Sequence, residues 1–218
     1  MGVLAVRNVA GEAFVPSAWY VPVNLAVVVV LAIVAHRSRL SADEVGLSSA
    51  AAPSGLAVGV GVAAVVAVVI VLAAATPLTR PYFEDQRIAG IDGACDLAYQ
   101  ALVRIPLGTA LLEEFAFRGV LLALVTRLRS VGTAVIVSSL LFGLWHIHPT
   151  LGALASNDLA DSGPAQAGAV AAAVAVTTVG GMLLCGLRLV SGSLVAPLIV
   201  HATTNSTATV SAYVVLAS

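Results

Sequence analysis

Glu113-Glu114-Phe115-Ala116-Phe117-Arg118-Gly119-Val120-Leu121-Leu122 sets two adjacent carboxylates and an arginine inside a run that is otherwise apolar enough to lie within a lipid bilayer. Ionisable groups at that depth cost roughly 2.5 to 3.5 kcal/mol each on insertion scales, so a chain that keeps them there is using them. The common uses are catalysis and the transport of ions or protons.

Composition fixes the setting of that run. Of the 218 residues, 60% are apolar and only 10% are charged, and the mean hydropathy is +1.04. A water-soluble domain of this length does not carry such a surface, so the chain reads as a polytopic membrane protein. The net charge is −1, and the ten basic residues are all arginines, scattered singly or in pairs. That pattern argues against nucleic acid as a partner.

A helix needs about 17 to 25 apolar residues to cross ~30 Å of hydrocarbon. Stretches near residues 19–35, 55–76, 103–125, 132–147, 166–187 and 193–216 qualify. They predict an all-α bundle of about six transmembrane helices. The first stretch has no basic region immediately before it and no small-residue cleavage site after it, so it reads as a retained anchor and not a signal peptide. Residues 79–96, with Arg80, Glu84, Asp85, Arg87, Asp92 and Asp96, form the one extended polar segment and read as an interfacial loop.

Pro106 lies inside the third span. Proline lacks an N–H and clashes with the preceding turn, so a helix from about Cys95 is expected to end or kink there, with Leu107 to Leu128 running on beyond. If every span crosses once, Arg37, Arg39, Arg127, Arg129 and Arg188 fall on one side. Arg7, Arg80 and Arg87 fall on the other, with Arg104 near the same surface. The positive-inside tendency then puts both termini outside the cytoplasm. Cys95 and Cys185 lie near opposite faces and read as unpaired packing residues.

The later spans carry polar residues of their own. Phe142 and His146 are four apart, hence on one helix face, and so are His201 and Asn205. Glu114 and Arg118 repeat that spacing, while Glu113 is turned about 100° from Glu114. One carboxylate can therefore pair with the arginine while the other points elsewhere. Glu113 is the candidate general base, with Glu114 and Arg118 as an internal clamp. His146 and His201 can hold a water, bind a metal or stabilise an oxyanion, and Asn205 can donate to a developing tetrahedral oxygen. Together these are the parts for hydrolysing an amide bond. Taken singly, each histidine reads as a packing residue and Glu114 with Arg118 as a structural ion pair. What favours chemistry is that three spans in succession each hold a polar set. His148, followed by Pro149, points away from His146 and reads as structural.

Glu113-Glu114-x-x-x-Arg118, then Phe142-x-x-x-His146, then His201-x-x-x-Asn205 resembles the three-motif signature of the CPBP family. These are intramembrane proteases that include the type II CAAX prenyl endopeptidases and the bacteriocin-processing or immunity-associated Abi proteins. The resemblance covers about residues 95–216. It divides the chain into N-terminal anchor spans and interfacial loop over 1–94 and a catalytic core over 95–218, within one membrane domain. Ser41-Ala42-Asp43-Glu44-Val45-Gly46-Leu47 also resembles a short Gly-Leu segment often seen in these proteins.

The resemblance implies an active site buried in the membrane. Glu113 would activate water, His146 would help position it, and His201 and Asn205 would polarise the scissile carbonyl. Glu114 and Arg118 would support the site, and Phe142 would shape the pocket. The family has been described both as metalloprotease and as glutamate-dependent protease. Glu113, His146 and His201 could in principle supply three zinc ligands, but the chain has no H-E-x-x-H, and the glutamate route is preferred. A composition rich in Ala, Val, Gly and Arg, without Lys, suggests a GC-rich bacterial genome. The expected setting is a bacterial plasma membrane, and the expected substrate a membrane-associated peptide or protein, CAAX-type proteins included.

Two other classes compete: a non-catalytic immunity or scaffold protein of the same fold, and a small proton-coupled transporter. A transporter would show polarity along its path in the first two spans, which read as almost free of it. A scaffold has no need of the catalytic-type side chains, and every one is present.

Overall fold

The computed structural model describes residues 17–158 and 163–218. Arg7, counted above for orientation, lies outside them. Among the described residues every regular element is helical. The architecture rests on α1 (Tyr20–Arg37), α2 (Ala52–Ala75), α3 (residues 93–128), α4 (Val131–Trp145), α5 (Ile147–Ser156), α6 (Gly163–Ser191) and α7 (Val195–Leu216).

Polar contacts between distant loops fix the two ends of the bundle. At one end Ser41 and Glu44 close a reciprocal capping box around the single turn Ala42–Val45. Arg127, at the foot of α3, donates to Glu44 (2.6 Å) and to the Ser38 carbonyl (2.7 Å). Arg188, near the end of α6, donates to the carbonyls of Asp43 (2.9 Å) and Glu44 (3.0 Å). Gly46 ends the turn at φ 79°, where a Cβ would run into the Arg188 guanidinium, so the position requires glycine. At the other end Asn157 donates to Asp85 (3.0 Å) and accepts from the Gln86 backbone (2.7 Å). Arg80 there reaches the Val215 carbonyl (3.3 Å).

Loops 38–51, 127–130 and 188–194 therefore share one end, and residues 76–92, Asn157 after α5 and the end of α7 share the other. The chain crosses between them six times, matching the hydrophobic stretches of the sequence. Four of these crossings, α1, α2, α4 with its continuation α5, and α6, are long and apolar enough to span a membrane on composition alone. In α3 and α7 hydropathy is diluted by what they carry: Glu113, Glu114 and Arg118 in one, and His201, Thr203, Thr204, Asn205, Ser206 and Thr207 in the other.

α3 is the central helix. Every residue from Leu112 to Val120 is buried, the mark of a helix enclosed on all sides. α1, α4 and α7 enclose it, with α2 outside α7 and α6 outside α4. Outward faces display Val29, Ile33, Val65, Leu72, Val176 and Leu183, an apolar surface suited to lipid. Small residues let helices close up: a Cβ on Gly59 of α2 would stand 3.0 Å from Ala196 Cα of α7.

Pro106 does not end α3. The helix continues in wider turns, hydrogen-bonded from i to i+5, over Gln100–Ala110 and again over Phe115–Leu121. A wider turn gives the ring the room that a tight one denies. In that register Pro106 would have served the carbonyl of Ala101. Ser206 of α7 donates its hydroxyl to that carbonyl instead, at 2.7 Å. A neighbouring helix thus satisfies the group that proline leaves open, as backbone at membrane depth requires.

Candidate active site

α3 delivers Glu113, Glu114 and Arg118. α4 ends in Phe142, Trp145 and His146, and the first half of α7 presents His201 and Asn205. The i,i+4 pair forms as the spacing requires: Arg118 Nη1 donates to Glu114 Oε1 at 2.8 Å, with both side chains fully buried. The same oxygen lies 2.7 Å from His201 Nδ1. A carboxylate only accepts, so Nδ1 carries the proton and Nε2 is directed at the neighbouring carboxylate. Nε2 lies 3.7 Å from Glu113 Oε2. Glu113 Oε1 accepts the indole N–H of Trp145 at 3.0 Å, and Oε2 has no hydrogen-bond partner among the described residues. Arg118, Glu114, His201, Glu113 and Trp145 therefore form one continuous chain of polar contacts.

Phe142 packs behind this chain. The Arg118 guanidinium lies 3.9 Å from the centre of its ring, a cation–π contact that helps hold a desolvated charge. His146 and His201 both stand edge-on to it, at 4.5 and 5.9 Å between centroids. His146 occupies the junction of α4 and α5, with Nδ1 2.7 Å from the Phe142 carbonyl. A carbonyl cannot donate, so Nδ1 holds the hydrogen and the neutral ring keeps Nε2 as an acceptor.

A cavity of about 850 Å³ reaches from the loop at Tyr82 to Ile91 down to Glu113. Glu113, Trp145, His146 and Asn205 line it, whereas Glu114, Arg118, Phe142 and His201 lie behind the wall. The residues expected from sequence thus divide into a front set facing the cavity and a rear set buttressing Glu113. His201, expected at the scissile carbonyl, stands in the rear set. Phe142, expected to shape the pocket, stands behind the cavity wall with Arg118, His146 and His201 packed on its ring.

Sequence reasoning missed Trp145, although a buried indole N–H seeks an acceptor and this one sits beside His146. It also missed α1. Tyr20 and Asn24 line the cavity, with Tyr20 Oη 3.0 Å from Thr109 Oγ1 and Asn24 Nδ2 donating to the Gly108 carbonyl at 2.6 Å. The first span is therefore a wall of the site and not an anchor alone. Asn24 was the available signal, an amide inside an apolar span.

The candidate metal set was Glu113, His146 and His201. His146 lines the cavity, whereas His201 turns Nε2 to Glu113 from behind its wall. Among the described residues no three His, Cys, Asp or Glu side chains are grouped to hold a metal ion.

No curated protein and no solved structure matches the chain. Residues 96–207 match the family model of the type II CAAX prenyl endopeptidase Rce1-like proteins, a protease family. That segment is more than half of the chain and contains every residue of the front and rear sets. With the motifs, their order and the matched segment in agreement, the chain belongs to the type II CAAX prenyl endopeptidase Rce1-like family.

Proposed function

We propose that the protein is an intramembrane endopeptidase that cuts a peptide bond of a membrane-associated protein or peptide, with Glu113 as the base that activates water. The observation that carries this is the division of labour between adjacent carboxylates. Glu114 is fully buried and engaged by Arg118 and His201, while Glu113 lines the cavity with one oxygen held by Trp145 and the other hydrogen-bonded to no described residue. The family's description, CAAX prenyl endopeptidase, adds CAAX-type proteins to the candidate substrates. A bacterial plasma membrane is the setting that the lysine-free composition favours.

Water held between the Glu113 carboxylate and His146 Nε2 gives its proton to Glu113 as its oxygen attacks the scissile carbonyl carbon. His146 suits this role because its remaining nitrogen accepts. The oxygen of the tetrahedral intermediate takes a hydrogen bond from the Asn205 amide. Glu113 then returns the proton to the leaving nitrogen as the C–N bond breaks, giving an acid and an amine. His201, fixed by Glu114, keeps Glu113 in place from the rear.

Glu113→Gln keeps the shape and removes the base. General-base catalysis contributes typically about 10²- to 10⁴-fold, so cleavage of a membrane-associated peptide by the detergent-purified variant should fall at least that far. Activity within about tenfold of wild type would remove Glu113 from this role.

A further inference from the structure

We infer that Arg104 positions the substrate by receiving the C-terminal carboxylate of the peptide to be cut, an assignment that rests on the proteolytic reading above. Arg104 lines the same cavity as Glu113. Its guanidinium lies over the Tyr20 ring, Cζ 4.1 Å from the centroid, and makes one long hydrogen bond, 3.4 Å to Gln100 Oε1. Among the described residues no carboxylate lies within ion-pair distance of it.

The other charged groups of the cavity are engaged. Arg87 is paired with Asp85 at 2.6 Å, and Asp85 also accepts from Asn157. Asp96 accepts from Gln100 and from the Asp92 backbone. Among the described residues Arg104 is left as a cation with most of its five N–H donors unspent, on an aromatic platform that limits its motion. A planar fork in that state is pre-organised for two-point binding of a carboxylate.

A lipid phosphate would satisfy the same donors, and position favours the peptide. Arg104 and Glu113 are nine residues apart on one helix. That separates them by at most about 13 Å along the axis, which at most about four residues of extended chain would span. A peptide whose end is held at Arg104 therefore lays an internal bond against Glu113.

The test uses binding, so that it does not depend on turnover. An N-palmitoylated, fluorescein-labelled apolar peptide with a free C-terminal carboxylate, and its C-terminal amide, are titrated against detergent-purified Glu113→Gln protein. The same pair is titrated against Glu113→Gln/Arg104→Gln protein. Hydrogen bonds to charged groups support at least about a tenfold preference for the acid, which should fall to about one in the double variant. Amide binding should stay unchanged, which reports that the cavity is intact. Equal affinities, no binding of either peptide, or a preference that survives Arg104→Gln would overturn the assignment. So would an Arg104-dependent affinity for phosphatidylglycerol vesicles without an acid-over-amide preference, which would give Arg104 to headgroups. Failure of wild-type protein to cleave peptides that bind with the expected preference would count against the proteolytic reading and leave Arg104 in place.

Discussion

Glu113 and Glu114 are neighbours in sequence with opposite fates, and the difference lies in what each meets across the bundle. Glu114 faces Arg118 one turn on, a pairing that the spacing of four made readable. Glu113 is turned toward α4 and α7, where Trp145 and His201 approach it. Nothing local to the sequence says which helix stands beside which, so the motif residues could be read while the partners of Trp145, Tyr20 and Asn24 could not. The same contacts bear on metal dependence. His201 lies behind the cavity wall with Nε2 turned to Glu113, and among the described residues no three His, Cys, Asp or Glu side chains are grouped to hold a metal ion. Treatment with 1,10-phenanthroline and EDTA followed by desalting should therefore leave peptide cleavage at the untreated rate. Stoichiometric zinc in active protein, absent from both His146→Ala and His201→Ala, would reverse that expectation.

α3 shows where reading by period succeeds and where it fails. Hydrophobicity placed the span correctly, but proline suggested an end or a kink, because the rule assumes a chain that must satisfy its own hydrogen bonds. Here a second helix supplies the donor, Ser206 to Ala101. Ser206→Ala should destabilise the protein by about 1–3 kcal/mol, the cost of leaving a buried carbonyl unserved. In a Pro106→Ala background the new N–H can take that carbonyl, so the cost should shrink. Thermal unfolding of the four proteins in one detergent measures the difference, and equal costs in both backgrounds would show that the two positions are not coupled. The wide turns also explain why Arg104 escaped notice. Residues nine apart on an ideal α-helix point in nearly opposite directions. The looser winding over Gln100–Ala110 lies between Arg104 and Glu113, and both face one cavity.

At the scale of the whole molecule, the crossing number and all-helical class were legible because hydrocarbon thickness sets span length for any sequence. The fastening of the ends was not, since it depends on single side chains in loops. Glu44 is the clearest case: the hydrogen bond from Arg127 holds its carboxyl down from 4.5 to about 2, aided by the Ser41 backbone. A folded-state value below the ordinary one means that the contribution is fully present above about 4.5 and lost as pH falls through about 2. The melting temperature of wild type should accordingly drop more steeply than that of Glu44→Gln across this acid range, and parallel curves would deny the contact a role in stability. This fastening belongs to the end with Arg127 and Arg188, whereas the cavity extends to the end with residues 76–92. A hydrolase built this way is vectorial. On the proteolytic reading it would draw its peptides from the compartment that the cavity meets and would ignore identical peptides across the bilayer. If the arginine-rich end faces the cytoplasm, its raw material is chains that have already been exported.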